Sequence, residues 1–568
     1  MTKSNPSSSN NKVKNPIPGV VYPDQKDLDH YLAEGVLTRE TLRDGFRKVV
    51  EAYPENVALV GPGLCLTYLE LDSLSDRLAG AFIKQGLRPL DRAVFQLRDS
   101  EKLVITFLAC LKIGVIPICT LYAHREREIG YLANHAGAKL HVVEGADPKF
   151  DSVAFAKKMQ REVSSLQMIL KMQGDPEEGV LQITDLIDGI SKEAAQAALE
   201  DIELDPFQVA VFQLSGGTTG VPKIIPRFQN EYLYNMRAVA AWLDYTPDDV
   251  LFMPQPMVHN LNMGCCFGPF LMTGGTYAIA PDLQPETLID LIATTKPTWF
   301  MLGGPIVARL EKAIEDGVVD LSSAKGVIVA NSAAKLRNLL GVRTHNIFGM
   351  TEGVIMLVHK DDPIEMQDTS NGRPVSEWDS IKILVPGTEK EVAPGEVGEP
   401  AFKGPYTIRG YFDAEERNKD AFTSDGYYRS GDLMYTKEVD GKTYYFFCGR
   451  LKDLVSRGGE KINCEEVELA VSHHPAVASV MAVGYPDPVM DERLCATIIL
   501  RDGHEAPSVT ELGKFLEKYG LAKFKWPERI EVLETFPLSA SGKVSKEQIK
   551  KLVAANVEQE RKSQTPSH

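Results

Sequence analysis

The chain has 568 residues, 43% hydrophobic and 25% charged, with a formal net charge of -16. That length exceeds one ordinary core, so two or more globular domains are expected. So acidic a balance argues against general nucleic-acid binding, and no apolar run reaches the ~18 residues needed to span a membrane.

The N-terminus, "MTKSNPSSSNNKVKNP", is polar and lacks the apolar stretch of a secretory signal. Eight cysteines, at 65, 110, 119, 265, 266, 448, 464 and 495, are scattered without a CxxC pair. Neither a zinc site nor a disulfide framework is therefore expected. The expected setting is the cytoplasm, with neither nucleic acid nor membrane as a partner.

Residues 1–16 read as a disordered tail. "LTYLELDSLSDRLAGAFIKQGL" (66–87) repeats apolar residues at helical spacing, and "RAVFQL" (92–97) is strand-like. "EKLVITFLACLKIGVIPICTL" (101–121) predicts a buried helix running into a strand, and "KLHVVEG" (139–145) a further strand. Strands are also expected within 209–215, 249–257 and 274–281, each bounded by Gly, Pro or Asp. This alternation predicts an α/β fold, with layered sheets and helices in a large N-terminal domain over 17–450. Beyond Arg450 charges and glycines crowd together, which predicts a hinge and a small mobile α+β domain over 451–556. A second disordered tail is expected over 557–568.

"SGGTTGVPK" (215–223) follows an apolar strand directly. Its glycines let successive backbone N–H groups converge on an anion, its hydroxyls add donors, and Lys223 supplies a positive charge for a phosphate. The loop is neither a Walker A motif, since Pro222 precedes the lysine and Ile224 follows it, nor a G-x-G-x-x-G fingerprint. Alone it points to a bound nucleotide, not to a reaction.

Four further segments follow in order: "NIFGMTEG" (346–353), "YYRSGDL" (427–433), "GRLKDLVSRGGEKI" (449–462) and "PLSASGK" (537–543). With the glycine-rich loop, these resemble the signature motifs of the adenylate-forming (ANL) superfamily. That superfamily takes in acyl-CoA synthetases, peptide-synthetase adenylation domains and firefly luciferase. The resemblance covers nearly the whole chain apart from its tails, and it implies ATP and Mg²⁺ as cofactors.

Carried onto this sequence, the resemblance implies a phosphate cradle of Ser215, Gly216, Gly217, Thr218, Thr219, Gly220 and Lys223. It implies Glu352 as the Mg²⁺ carboxylate, a role oxygen chemistry suits, with Thr351 as a phosphate donor. Asp432 would accept the ribose hydroxyls, Arg450 would reach ribose or phosphate, and Ala333 and Ile347 would border the nucleotide. Lys543 matches the superfamily's mobile catalytic lysine, which bridges carboxylate and α-phosphate. After adenylation the small domain would rotate about Lys452 and exchange the Lys543 loop for a face carrying Gly458, Gly459 and Lys461.

"PQPMVHNLNMGCCFGP" (254–269) and "GPYTIRGYF" (404–412) are similar to the free-standing aryl acid–AMP ligases of siderophore pathways. There the residue matching Asn260 bonds the ortho-hydroxyl of 2,3-dihydroxybenzoate or salicylate, and His259 would stand beside the carboxylate. Leu261, Cys265, Ala333, Gly349 and Ile355 complete the expected acid pocket. A thiol donates hydrogen bonds poorly, so Cys265 suits a bare C3–H and favours salicylate. Ile355, bulkier than the valine of dihydroxybenzoate members, points the same way. Leu261, Asn262 and "ANSAAK" (330–335) depart from the subgroup. Asn262 and Asn331 could meet an amino group or ring nitrogen, so an anthranilate- or hydroxypicolinate-like acid stays open.

No GGxS phosphopantetheine-attachment motif follows Lys543. The acyl group is therefore expected to pass in trans, to an aryl carrier protein or to free coenzyme A.

Overall fold

A computed structural model of the chain describes residues 11–215, 222–330, 333–457, 460–539 and 543–564. The chain divides into two compact units: Met1–Ser380 with Phe402–Tyr428, and Ile381–Ala401 with Arg429–His568.

The first unit holds two large sheets. One has seven strands in the order Leu181–Gln182, Met168–Gln173, Leu140–Gly145, Arg92–Gln96, Ile116–Ile118, Val209–Leu214, Ile224–Phe228. Its pairs are parallel except the last, which is an antiparallel hairpin. The other sheet has nine strands and includes Thr344–Met350 beside its antiparallel partner Gly353–Leu357. Runs such as "VAVFQL" are apolar apart from Gln213, because parallel strands between helical layers are buried on both faces.

Local chemistry sets the element ends. Helix Tyr68–Lys84 starts at a capping box in which Thr67 and Glu70 satisfy each other's backbone N–H groups. Helix Glu101–Ile113 is capped by Ser100 and stops at Gly114, whose φ of 72° costs glycine little. The strand expected within 249–257 shrinks to Val250–Phe252, because Pro254 and Pro256 lack the N–H a ladder requires.

The second unit contains the hairpin Asp432–Val439/Lys442–Arg450 and a five-stranded sheet. Helices Cys464–Ser472, Val509–Tyr519 and Lys546–Gln564 accompany that sheet, giving the expected α+β character. The unit starts upstream of the division expected after Arg450. The hairpin pairs Asp432 with Arg450 and a bridge joins Gly398 to Met434, so these strands cohere before the chain reaches Leu451.

Both expected tails are shorter than the sequence implied. Asn11 bonds Asp29 and Arg39 at 2.7 Å each, and Lys14 N–H donates to Asp205 at 2.7 Å. Those bonds repay the ordering of 11–16. Residues 557–564 continue helix Lys546–Gln564, since Val557 packs with Ile549 and Val553 and Glu560 takes a two-pronged bond from Arg529. Among the described residues no helix is long and apolar enough to cross a membrane. All eight cysteines are free thiols.

Candidate active site

The hairpin Val209–Leu214/Ile224–Phe228 brings the two ends of the glycine-rich loop to one point. Ser215 N–H donates to the Lys223 carbonyl at 3.0 Å, and Lys223 N–H returns to Ser215 Oγ at 3.2 Å. The loop is thus mounted on a buried strand pair; Gly216, Gly217, Thr218, Thr219 and Gly220 lie outside the described residues. The Lys223 ammonium sits 4.6 Å from the ring centre of Tyr411, a cation–π contact.

Thr351 and Glu352 occupy the turn between Thr344–Met350 and Gly353–Leu357. Gly353 has φ 141°, and a Cβ there would come within 2.6 Å of Thr407 Cα, so only glycine fits. Val354 follows at φ 42°, a left-handed conformation costing a β-branched residue about 1–3 kcal/mol. The Glu352 carbonyl accepts Ile408 N–H at 2.7 Å, and its buried carboxylate accepts the Tyr411 phenol at 2.8 Å. Tyr411 in turn lies 3.0 Å from the Tyr428 hydroxyl. Burial and then the Glu352 charge push the Tyr411 pKa far above the ordinary phenol value, so it keeps its proton to donate.

Between these groups lies Arg227, which none of the sequence motifs includes. Its buried guanidinium donates to the carbonyls of Thr351 and Tyr406 at 3.2 and 3.0 Å and to Asn235 Oδ1 at 3.1 Å. It also lies 4.7 Å from the ring centre of Tyr232. Burying a cation is costly unless its donors are bonded, and these three bonds offset that cost. The available signal was a lone arginine in the apolar strand "IIPRF".

Helix Asn260–Cys265 packs against Thr344–Met350. His259 caps it: Nδ1 accepts Leu261 N–H at 3.2 Å, which puts the neutral ring's hydrogen on Nε2. Asn260 Oδ1 accepts the Tyr232 hydroxyl at 2.8 Å. Cys265, Ile347 and Ile355 join one apolar cluster with Tyr232 and Tyr406, and Leu261 packs onto it. Burial pushes the Cys265 thiol up to about 12, which makes it a small hydrophobe. Gly349 stands opposite Ile355 in the ladder.

Ala333 is buried in a cluster with Val327, Val329 and Leu336, distinct from the one that holds Cys265. Asn262 is fully buried and already satisfied. Its amide donates to the Gln255 carbonyl at 2.9 Å and the Tyr277 hydroxyl at 2.8 Å, and its oxygen accepts Phe267 N–H at 3.2 Å. It clamps the loop before the helix, and both of its N–H donors are spent. Asn331 lies outside the described residues.

In the second unit, strand pairing sets Asp432 opposite Arg450, with Arg450 Nε 3.4 Å from Asp432 Oδ1. Lys452 is exposed in the single 3-10 turn Leu451–Asp453. Lys461 pairs with Ser456 in the backbone ladder; Gly458 and Gly459 lie outside the described residues. Desolvation, then the Arg450 charge, holds the Lys543 ammonium below the usual lysine range.

No group of three or more His, Cys, Asp or Glu occurs among the described residues that could cage a metal ion. A single buried carboxylate, Glu352, suits an ion that keeps several waters and takes further oxygens from phosphates, as Mg²⁺ does.

Residues 46–412 match the family model of the AMP-binding enzymes, and residues 466–543 match that of the AMP-binding enzyme C-terminal domain. The chain is 34% identical to a 2,3-dihydroxybenzoate-AMP ligase of Bacillus subtilis, over 94% of this chain and 97% of the relative. It is 33% identical to a salicylyl-CoA synthase / salicylate adenylyltransferase of a Streptomyces species, over 92% of this chain and 96% of the relative. The apo structure of MbtA from Mycobacterium smegmatis superposes with a TM-score of 0.69 at 29% identity, covering 94% of this chain and 98% of that one.

Proposed function

The chain belongs to the AMP-binding enzyme family, and from that premise we propose that it is an ATP-dependent aryl acid–AMP ligase. It activates salicylate or a 2,3-dihydroxybenzoate-like acid and passes the acyl group to a pantetheine thiol, in siderophore or nonribosomal peptide biosynthesis. The observation that carries this reading is the convergence on Arg227. The glycine-rich hairpin, the Thr351–Glu352 turn and the Tyr232–Asn260 pair all meet that one guanidinium.

In the first half-reaction a carboxylate oxygen attacks the α-phosphorus, the bond from that phosphorus to the bridging oxygen breaks, and pyrophosphate leaves. Ser215–Lys223 holds the departing phosphates, and Thr351 donates to a phosphate oxygen. Mg²⁺ held through Glu352, when bound, neutralises phosphate charge. Asp432 accepts the ribose hydroxyls beside Arg450. His259 donates from Nε2–H to the acid's carboxylate, and Asn260 meets its ortho substituent. Lys543 is assigned to bridge carboxylate and α-phosphate, where positive charge counts most in the transition state.

In the second half-reaction the small domain turns about Lys452 and presents Gly458, Gly459 and Lys461. A thiolate then attacks the acyl carbon and AMP leaves. The proposed acceptor is the phosphopantetheine arm of an aryl carrier protein in trans. The likeness to a salicylyl-CoA synthase supports free coenzyme A as the second reading. The proposed setting of the reaction is the cytoplasm.

The experiment is acid-dependent ATP–pyrophosphate exchange with salicylate, 2,3-dihydroxybenzoate, anthranilate, 3-hydroxypicolinate, benzoate, an amino acid and a fatty acid. Exchange is expected with the ortho-hydroxylated benzoates; exchange with amino or fatty acids alone overturns the reading.

A further inference from the structure

Asn260 has two ends, and the fold commits them differently. Its Oδ1 accepts the Tyr232 hydroxyl at 2.8 Å, and that hydroxyl oxygen itself accepts Gln213 Nε2–H at 3.4 Å. Tyr232 thus takes a hydrogen from Gln213 and gives its own to Asn260. Tyr232 and Gln213 are buried, so this relay has no competition from solvent. The Arg227 guanidinium beside the Tyr232 ring favours donation by the phenol. Among the described residues no acceptor takes the Asn260 Nδ2 hydrogens. They are what Asn260 has left to present.

We propose that Tyr232, backed by Gln213, is a positioning residue that locks the Asn260 amide with its N–H edge toward the acid. The pocket thereby selects aryl acids whose ortho group accepts a hydrogen bond and rejects ortho-amines. This rests on the reading of Asn260 as the group that meets the ortho substituent.

The chemistry of the two acids makes the selection sharp. In salicylate the ortho-hydroxyl gives its hydrogen to its own carboxylate and turns a lone pair outward, toward Asn260 N–H. In anthranilate one N–H points to the carboxylate and the other outward, with the nitrogen lone pair delocalised into the ring. Two donors would then face each other in a water-poor pocket, and a buried donor without an acceptor is strongly penalised. A 3-hydroxypicolinate presents hydroxyl or ring-nitrogen acceptors and passes the same test.

The test is ATP–pyrophosphate exchange with salicylate, anthranilate and benzoate, on the wild type, Tyr232→Phe and Asn260→Asp. The wild type should favour salicylate over anthranilate in kcat/KM by about 100-fold, and over benzoate by about tenfold. Tyr232→Phe frees the amide to turn over, so the salicylate-to-anthranilate ratio should fall about tenfold while the KM for ATP stays put. Asn260→Asp offers only acceptors and should shift the ratio toward anthranilate, whether or not Tyr232→Phe folds. An unchanged ratio in a folded Tyr232→Phe enzyme, or an anthranilate-preferring wild type, overturns the inference. Equal use of benzoate and salicylate removes its basis at Asn260. Exchange with no aryl acid at all would instead overturn the aryl-ligase reading beneath it.

Discussion

The Tyr411 phenol donates to the Glu352 carboxylate across 2.8 Å, while the ring of the same tyrosine lies 4.6 Å from the Lys223 ammonium. One side chain therefore touches both the proposed metal carboxylate and the lysine at the end of the phosphate loop. Removing only the hydroxyl, in Tyr411→Phe, keeps the ring under Lys223 but frees Glu352. The half-saturating Mg²⁺ concentration should rise about tenfold with little change in the KM of the acid. Calorimetry of ATP binding with and without Mg²⁺ gives an activity-free check: the magnesium-dependent gain should shrink. An unaltered magnesium dependence would detach Tyr411 from Glu352's role.

Lys543 is assigned to the transition state, not to nucleotide binding. Lys543→Ala should slow acid-dependent ATP–pyrophosphate exchange by on the order of 100-fold or more while ATP affinity changes little. Thioester formation from chemically supplied aryl-adenylate should survive, because that step is proposed to use the other face of the small domain. Comparable losses in both half-reactions would argue for a general structural role.

Gly353 combines a φ of 141° with a Cβ position 2.6 Å from the Thr407 backbone. Gly353→Ala therefore meets both backbone strain and a clash with main-chain atoms that have little room to yield. A loss of at least about 2 kcal/mol in stability is expected, read as a lowered denaturation midpoint. A fully stable alanine variant would mean that the Thr351–Glu352 turn is less constrained than this geometry requires.

Asp99 accepts Met257 N–H at 2.8 Å, and burial pushes its carboxyl up to about 7 from the ordinary 3.8. The folded chain thus holds this proton more tightly than the unfolded one. The associated stability is fully present below about 4 and is lost as pH rises through about 7. Asp99→Asn keeps an acceptor for Met257 and cannot ionise. Its melting temperature should exceed that of the wild type at pH 8, with the difference closing toward pH 5. Parallel melting profiles for the two proteins across that range would refute the shift. Asp379, also pushed up to about 7 by burial, contributes the same sign, so some wild-type slope remains in the variant.

Much of the site was legible because its demands are local. A glycine-rich stretch after an apolar strand, a Thr-Glu-Gly turn and a capped helix each state a backbone requirement within a few residues. The α/β alternation was equally plain in apolar runs such as "KLHVVEG" and "VAVFQLS" set between helical stretches. The tails were misjudged because Asn11, Lys14 and Glu560 find partners far along the chain, which composition cannot reveal.

Asn260 and Asn262 mark where the sequence alone stops. Both are asparagines in the same short helix, and both were read as candidates to meet the acid. At about 100° per residue, two positions apart on a helix point about 200° apart. One therefore meets Tyr232 and keeps its N–H edge unspent, while the other is consumed by Gln255, Tyr277 and Phe267. The order of motifs determined that this chain activates an acid with ATP. Which edges and charges the acid meets, including the buried Arg227 between the three site segments, depended on helix phase and on partners brought in from distant strands. Only the packed structure decides those.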